Sequence, residues 1–348
     1  VSIEAFRERI LNRAPLCIRG GGSKDFYGGP LAGEALDVGG YRGIVSYEPT
    51  ELVLTARAGT PLAELDSVLA GRGQWMAFEP PGFGGPATLG GAMAAGLSGP
   101  GRASHGAVRD FVLGAKILDG EGRVLTFGGQ VMKNVAGFDV SRLMAGSLGT
   151  LGLILEVSIK VLPVPVAQAT LRFQLPQEKA LESMNRWAGQ PLPVTATSWE
   201  DQVLVVRLAG AEAAVRSACE TLGGERVADV EATTHWVSLR EQGLLFFAGD
   251  APLWRLSVPS TTPPLDLPEK TLLEWGGAQR WLRGDHDPAV LRDLARRAGG
   301  YATLFRGGDR ATGVFTALPG PLTAIHRRLK DAFDPHGVFN RGRLLPDL

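Results

Sequence analysis

Apolar residues Ile3, Phe6 and Ile10 fall at helical spacing and predict a short amphipathic helix over 3–11. An apolar run at 16–18 reads as a strand that feeds directly into Arg19-Gly20-Gly21-Gly22-Ser23-Lys24. Alternating runs predict further strands at 43–47 and 52–58. A helix follows with Thr60 as N-cap and Pro61 at its first position, stopping at Gly71. Another helix starts at Thr88, and its small residues from Gly91 to Ala95 suit close packing on a flat surface. Residues 113–118 and 123–127 pair as a hairpin around Asp119-Gly120-Glu121-Gly122. A long strand over 151–161 ends at Pro163 and Pro165, which mark a domain boundary.

Beyond that boundary the pattern changes. Strand 169–175, helix 178–188, strands 194–199 and 203–208, helix 212–221 and a strand over 226–230 give the order β-α-β-β-α-β. That order is the ferredoxin-like split unit. Strands at 253–258, 271–275, 280–283 and 301–305, with a helix at 288–297, extend its sheet. No internal sequence repeat is evident. A tail helix over 322–333 runs into Asp334-Pro335-His336-Gly337. The fold class expected is α+β.

The length of 348 residues fits two or three domains with ample core. With 36 Lys+Arg against 36 Asp+Glu, the chain lacks the basic excess that nucleic acid or an anionic membrane attracts. Its two cysteines, Cys17 and Cys219, cannot alone build a disulfide framework, a four-thiolate zinc site or an iron–sulfur cluster. Apolar runs fall short of the roughly 18 residues of a membrane span, and no basic-then-apolar leader opens the chain. The missing initial Met points to trimming. The expected location is the cytoplasm, with at most peripheral contact with a membrane.

Glycine is the outlier: 47 residues, 30 of them within the first 165, so the front half is the loop-rich one. A P-loop is excluded, since no glycine-lysine-Ser/Thr stands at the required spacing. The pattern G-x-G-x-x-A occurs at Gly82, Gly84 and Ala87, but it follows Pro80-Pro81 rather than a strand, which argues against a Rossmann site. Several irregular loops can instead offer backbone N–H groups to one anion. The 19–24 loop is such a segment, and Thr88-Leu89-Gly90-Gly91 at a helix start is expected to supply a second set of free N–H groups. Gly146, Gly149 and Gly152 form a third cluster. Each alone reads as an ordinary tight turn; three across one domain point to a ligand.

These segments, with Ser104-His105-Gly106-Ala107-Val108-Arg109-Asp110 and residues 146–154, resemble the flavin-binding loops of the vanillyl-alcohol oxidase-type (PCMH-type) FAD-binding family. Residues 133–139, Trp254-Arg255-Leu256-Ser257, Trp275-Gly276-Gly277 and the 334–343 tail narrow the resemblance to the FAD-binding subunits of bacterial glycolate oxidases. The resemblance implies a two-lobed FAD domain over 1–165 divided near 50, an α/β cap over 166–310, and a segment 311–348 returning to the FAD domain. It implies that Arg19, Gly20, Gly21, Gly22, Ser23 and Lys24, with Thr88, Leu89, Gly90 and Gly91, wrap the pyrophosphate, and it puts Pro81 in the cofactor-binding set. Gly146, Gly149, Thr150 and Gly152 would flank the adenosine, with the Ile154 backbone at the adenine edge. Gly96, His105, Gly106, Asp110 and Asn340 complete the implied cofactor set, His105, Gly106 and Asn340 nearer the isoalloxazine. Related hydroxy-acid dehydrogenases carry Asn where this chain has Gly96, so one side-chain hydrogen bond is absent. The first loop holds no His or Cys at a flavin-linking position, so non-covalent FAD is expected.

Catalytic relatives also carry a metal-holding His-x-Gly-x-Gly-Asn cluster, which is absent here. The five histidines, His105, His235, His286, His326 and His336, include no pair at helix-face ligand spacing, so no metal is expected. Arg255 is the best candidate to clamp a carboxylate, against the plainer reading of a surface or interface arginine. His336 reads as a turn residue, and Lys133 either as a charge beside reduced flavin or as a solvated one. No catalytic residue is assigned. The resemblance implies one FAD subunit of a complex that turns glycolate into glyoxylate, with a second FAD-containing subunit and an iron–sulfur subunit as partners. Two alternatives stay open: a self-sufficient FAD-dependent hydroxy-acid or alcohol dehydrogenase, and a structural subunit with a vestigial flavin.

Overall fold

The computed structural model describes residues 2–129, 139–267 and 270–346. Residues 133–138 of the segment that begins at Lys133 therefore lie outside the described residues. The chain divides into two compact units: Val1–Leu97, Ala107–Pro163 and Ala317–Leu348 form the first, Ser98–Gly106 and Val164–Thr316 the second.

In the first unit, helix α1 (Ile3–Leu11) is capped by Ser2, whose side chain accepts from Ala5 N. It buries Phe6 and Ile10 against Leu16 and Leu36 of a parallel pair, β1 (Leu16–Arg19) and β2 (Glu34–Asp37). Strands β3 (Ile44–Glu48) and β4 (Val53–Arg57) begin an antiparallel sheet. Helix α2 (Leu62–Ala70), the short strand β5 (Gln74–Trp75) and helix α3 (Leu89–Ala95) follow. Two single-turn helices come next: α4 (Arg102–His105), grouped with the second unit, and α5 (Val108–Phe111). Strands β6 (Val112–Leu118), β7 (Val124–Gly128) and β8 (Leu153–Lys160) complete the five-stranded order β3-β4-β8-β6-β7, and β9 (Leu162–Pro163) pairs with β5. Leu65 and Leu69 of α2 and Leu89 and Met93 of α3 share one core with Leu54, Ile117 and Val157 of the sheet. Helix α2 starts one residue later than expected, with Pro61 rather than Thr60 as N-cap, because the Thr60 hydroxyl is engaged elsewhere and accepts from Gly43 N at 2.9 Å.

The second unit is built on an eight-stranded sheet, beginning with β10 (Ala167–Gln174), α6 (Gln177–Ala188), β11 (Val194–Glu200), β12 (Val203–Gly210), α7 (Glu212–Leu222) and β13 (Glu225–Arg226). These strands lie in the antiparallel order β13-β10-β12-β11. The expected strand at 226–230 is corrected: only Glu225 and Arg226 pair with β10, and the chain then forms helix α8 (Asp229–Glu241) with Asp229 and Glu231 in its first turn. Strands β14 (Leu253–Ser257), β15 (Thr271–Glu274) and β16 (Gln279–Arg283), helix α9 (Pro288–Arg297) and strand β17 (Tyr301–Arg306) complete the sheet as β15-β16-β14-β17. Counted along the chain, each set of four strands has the same spatial order, 4-1-3-2, and the two sets join through their second strands, β11 and β15. The unit is thus a doubled ferredoxin-like sheet.

Leu171 and Val206 share a core with Leu181 of α6 and Val215 of α7. Thr170, next to Leu171, faces the other side, where Trp236 Nε1 of α8 donates to its hydroxyl at 3.0 Å. The segment Ser98–Gly106, expected with the FAD domain, is held in this second unit instead: Trp275 Nε1 donates to Gly99 O at 3.0 Å, and the Arg102 guanidinium lies 4.5 Å from the Trp275 ring centre.

Candidate functional site

Strand β1 delivers the first glycine loop. Arg19 forms an ion pair with Asp25 at 2.5 Å, and Gly22 takes a φ of +74°. Among the described residues, the backbone N–H groups of Gly20, Gly21, Gly22 and Ser23 find no backbone acceptor. Donors left open in a cavity wall need water or a ligand. The loop sits flush on residues 86–88: a Cβ on Gly21 would fall inside the Pro86 carbonyl oxygen, and one on Gly20 would lie 2.5 Å from Thr88 Oγ1.

The start of α3 departs from expectation. Leu89 N donates to Thr60 O at 2.9 Å, Gly90 N to Ala58 O at 2.8 Å and Gly91 N to Thr88 Oγ1 at 3.2 Å. These amides are already used, so the Thr88–Gly91 corner shapes the cleft rather than supplying free donors to it. The helix runs so close to the chain after β4 that a Cβ on Gly90 would lie 2.6 Å from Ala58 Cβ.

The third loop is fixed by the tail. Asn340, 5 % exposed and at a φ of +43°, accepts from Ile18 N through Oδ1 at 2.7 Å and donates through Nδ2 to Leu148 O at 2.6 Å. Behind it, the buried Lys330 Nζ donates to Thr150 O, Phe339 O and Asp334 Oδ2 at 2.7–2.8 Å. Burial pushes the Lys330 ammonium below its ordinary pKa, and the Asp334 carboxylate opposes that shift. Arg343 reaches the other way, donating to the carbonyls of Tyr27 and Gly29.

Together these segments line a cleft with about 770 Å³ of empty space, part of it open to solvent. Of the residues expected to bind the cofactor, Arg19, Gly20, Gly21, Gly22, Ser23, Lys24, Thr88, Gly90, Gly91, Gly149, Gly152, Ile154 and Asn340 line it. The rest do not. Leu89 is core, and Pro81 is buried elsewhere. Gly96 is the left-handed C-cap of α3, where a Cβ would lie 2.8 Å from Gly146 Cα; that close approach explains glycine at this position. Asp110 caps α5, accepting from Ala107 N at 2.8 Å. Gly146 and Thr150 line a separate cavity with His326 and Lys330. His105 and Gly106 belong to the second unit. Sequence reasoning missed Arg343 and, in the apolar wall formed with Ile18, Leu148 and Leu153 of the expected loops, Val38 and Ala58. Only the Asn340-Arg341-Gly342-Arg343 run hinted at the first of these.

Open amides at one end and an apolar wall suit an elongated ligand with an anionic segment and a flat ring system. An FAD would be held by the 20–23 amides at its pyrophosphate, and the aliphatic wall offers surface to a ring.

In the second unit, Arg255 lies on β14, next to the edge strand β17, with its guanidinium 5.4 Å from the Phe305 ring centre. Arg280, 1 % exposed, donates to the carbonyls of Gly277, Thr262 and Pro263, and burial lowers its pKa to about 10. Ser198 Oγ and His235 Nε2 stand 2.9 Å apart between β11 and α8. Burial first, and Arg172 second, lower the His235 pKa to about 4, so the ring is neutral. Among the described residues no three His, Cys, Asp or Glu side chains gather to hold a metal, and no helix is long and apolar enough to cross a membrane.

Residues 4–128 match the family model described as an FAD binding domain. The chain is 48 % identical over 346 residues to the glycolate oxidase subunit GlcE of Escherichia coli, covering 99 % of this chain and 97 % of that protein. It is 33 % identical over 119 residues to the glycolate oxidase subunit GlcD of Bacillus subtilis, covering 34 % of this chain and 25 % of that protein. In fold it is similar to an alkyldihydroxyacetonephosphate synthase, with a TM-score of 0.70 at 14 % identity over 99 % of this chain and 75 % of the other. The chain carries an FAD binding domain and belongs to the family of the glycolate oxidase subunit GlcE.

Proposed function

We propose that this chain is the GlcE-type FAD subunit of a glycolate-oxidising complex, that its FAD is non-covalent, and that the 2-hydroxy acid is oxidised on a sister subunit. The likeness to GlcE along both whole chains carries the reading. The cleft supports the location: residues 20–23 keep four amides open for the pyrophosphate, and among the described residues no His or Cys able to link the flavin lines it. Bound FAD supplies a two-electron acceptor. Dehydrogenation of a hydroxy acid also needs a carboxylate clamp and a base. Among the described residues neither is assembled at the cleft: Asp25, the one carboxylate lining it, is paired with Arg19, and Arg343 is spent on backbone carbonyls.

The partial likeness to GlcD supports a sister subunit of related fold that carries that chemistry with its own flavin. Electrons would leave through an iron–sulfur subunit, since two cysteines, Cys17 and Cys219, cannot ligate a cluster in this chain. The complex is proposed to work in the cytoplasm. Acid precipitation of the yellow protein tests the cofactor claim: FAD should appear wholly in the supernatant. Flavin retained in the pellet would contradict non-covalent binding, and protein that fails to take up FAD would contradict the whole reading.

A further inference from the structure

The tail does more than close the fold. Leu16 N donates to Val338 O at 2.7 Å and Asn340 N to Leu16 O at 2.9 Å, so the tail adds a short parallel edge to β1. At the next step of that ladder the backbone is replaced by a side chain, because Asn340 Oδ1 receives the Ile18 amide. The same side chain holds Leu148 O, and a Cβ on Gly149 would come within 2.6 Å of its Nδ2. Three residues on, Arg343 holds the carbonyls that follow the first glycine loop. One segment thus binds the entry of the 19–24 loop, its exit and the 148–152 loop.

We propose that residues 338–343 act as a clasp that sets the two cofactor loops in register, with Asn340 as the positioning residue that FAD retention depends on without its amide contacting the flavin. Both polar atoms of the Asn340 side chain already hold protein backbone, so changing it acts directly on the loops it ties. The inference rests on the reading of the cleft as the FAD site.

The test uses Asn340→Asp, which keeps the acceptor for Ile18 N and replaces the donor to Leu148 O with a second acceptor. Arg343→Lys, which removes the fork on Tyr27 and Gly29, serves as a second variant in case the first does not fold. Amide hydrogen exchange of the full-length apo-protein should rise at least tenfold at Leu148–Thr150 in the first variant and across 25–29 in the second, while the five-stranded sheet stays protected. FAD should dissociate at least tenfold faster from both. Unchanged exchange would overturn the clasp. Loosened loops with unchanged FAD dissociation would overturn the positioning role. If Gly21→Val also left FAD in place, the cleft itself would be misassigned, and exchange in the apo-protein would still report on the clasp.

Discussion

At Gly21 the loop packing depends on one missing carbon. The residue has an ordinary negative φ, so conformational freedom is not what excludes a side chain there; the Pro86 carbonyl is. The geometry shows that this glycine lets two loops approach each other. Gly21→Val should therefore push the 19–24 loop off the 86–88 corner and abolish FAD binding, while the second unit keeps its fold. Flavin content of the purified variant, read beside its far-ultraviolet circular dichroism, checks this; full occupancy would show that the loop does not hold the cofactor. Gly96 teaches the same lesson. Its departure from the Asn of relatives reads as a lost ligand contact, whereas the residue caps a helix against Gly146.

Element by element, legibility followed periodicity. Helix α1, the 112–128 hairpin and the first β-α-β-β-α succession show clean helical or alternating patterns and lie close to where they were expected. The start of helix α8 reads as strand because the helix is apolar on two faces: Ala232, Trp236 and Leu239 are buried, while Val230 and Val237 are exposed. A helix so patterned loses its 3.6-residue signature, and its first turn, next to Val227, mimics strand. The doubling of the sheet was invisible because it repeats strand order rather than residues. Helix α8 also carries a pH dependence. The folded protein keeps His235 neutral down to about pH 4, whereas an unfolded chain protonates it below about 6.5. Stability should fall as pH drops from about 6.5 towards 4, by at most roughly 3 kcal/mol, and level off below. Thermal unfolding of His235→Gln should show a shallower loss across that interval than the unmodified protein. Equal slopes would mean that His235 does not titrate on unfolding.

For the molecule as a whole, the candidate site was legible where chemistry sits in contiguous glycine runs, and illegible where it depends on residues far apart in sequence. Arg343 enters the cleft because the tail returns to β1, some 320 residues after that strand begins. Family likeness supplies the cofactor; the described geometry supplies a cleft with open amides and without an assembled acid–base pair. The central claim is a division of labour: this chain holds FAD and a partner oxidises the hydroxy acid. Losing a general base costs typically about 10²–10⁴-fold in rate. The most direct measurement is steady-state reduction of an artificial dye by the FAD-loaded single chain with glycolate, repeated after reconstitution with the sister flavin subunit and the iron–sulfur subunit. The account predicts turnover at least about 100-fold lower for the single chain, restored on reconstitution. Turnover by the single chain equal to that of the complex would contradict it and establish a self-sufficient dehydrogenase.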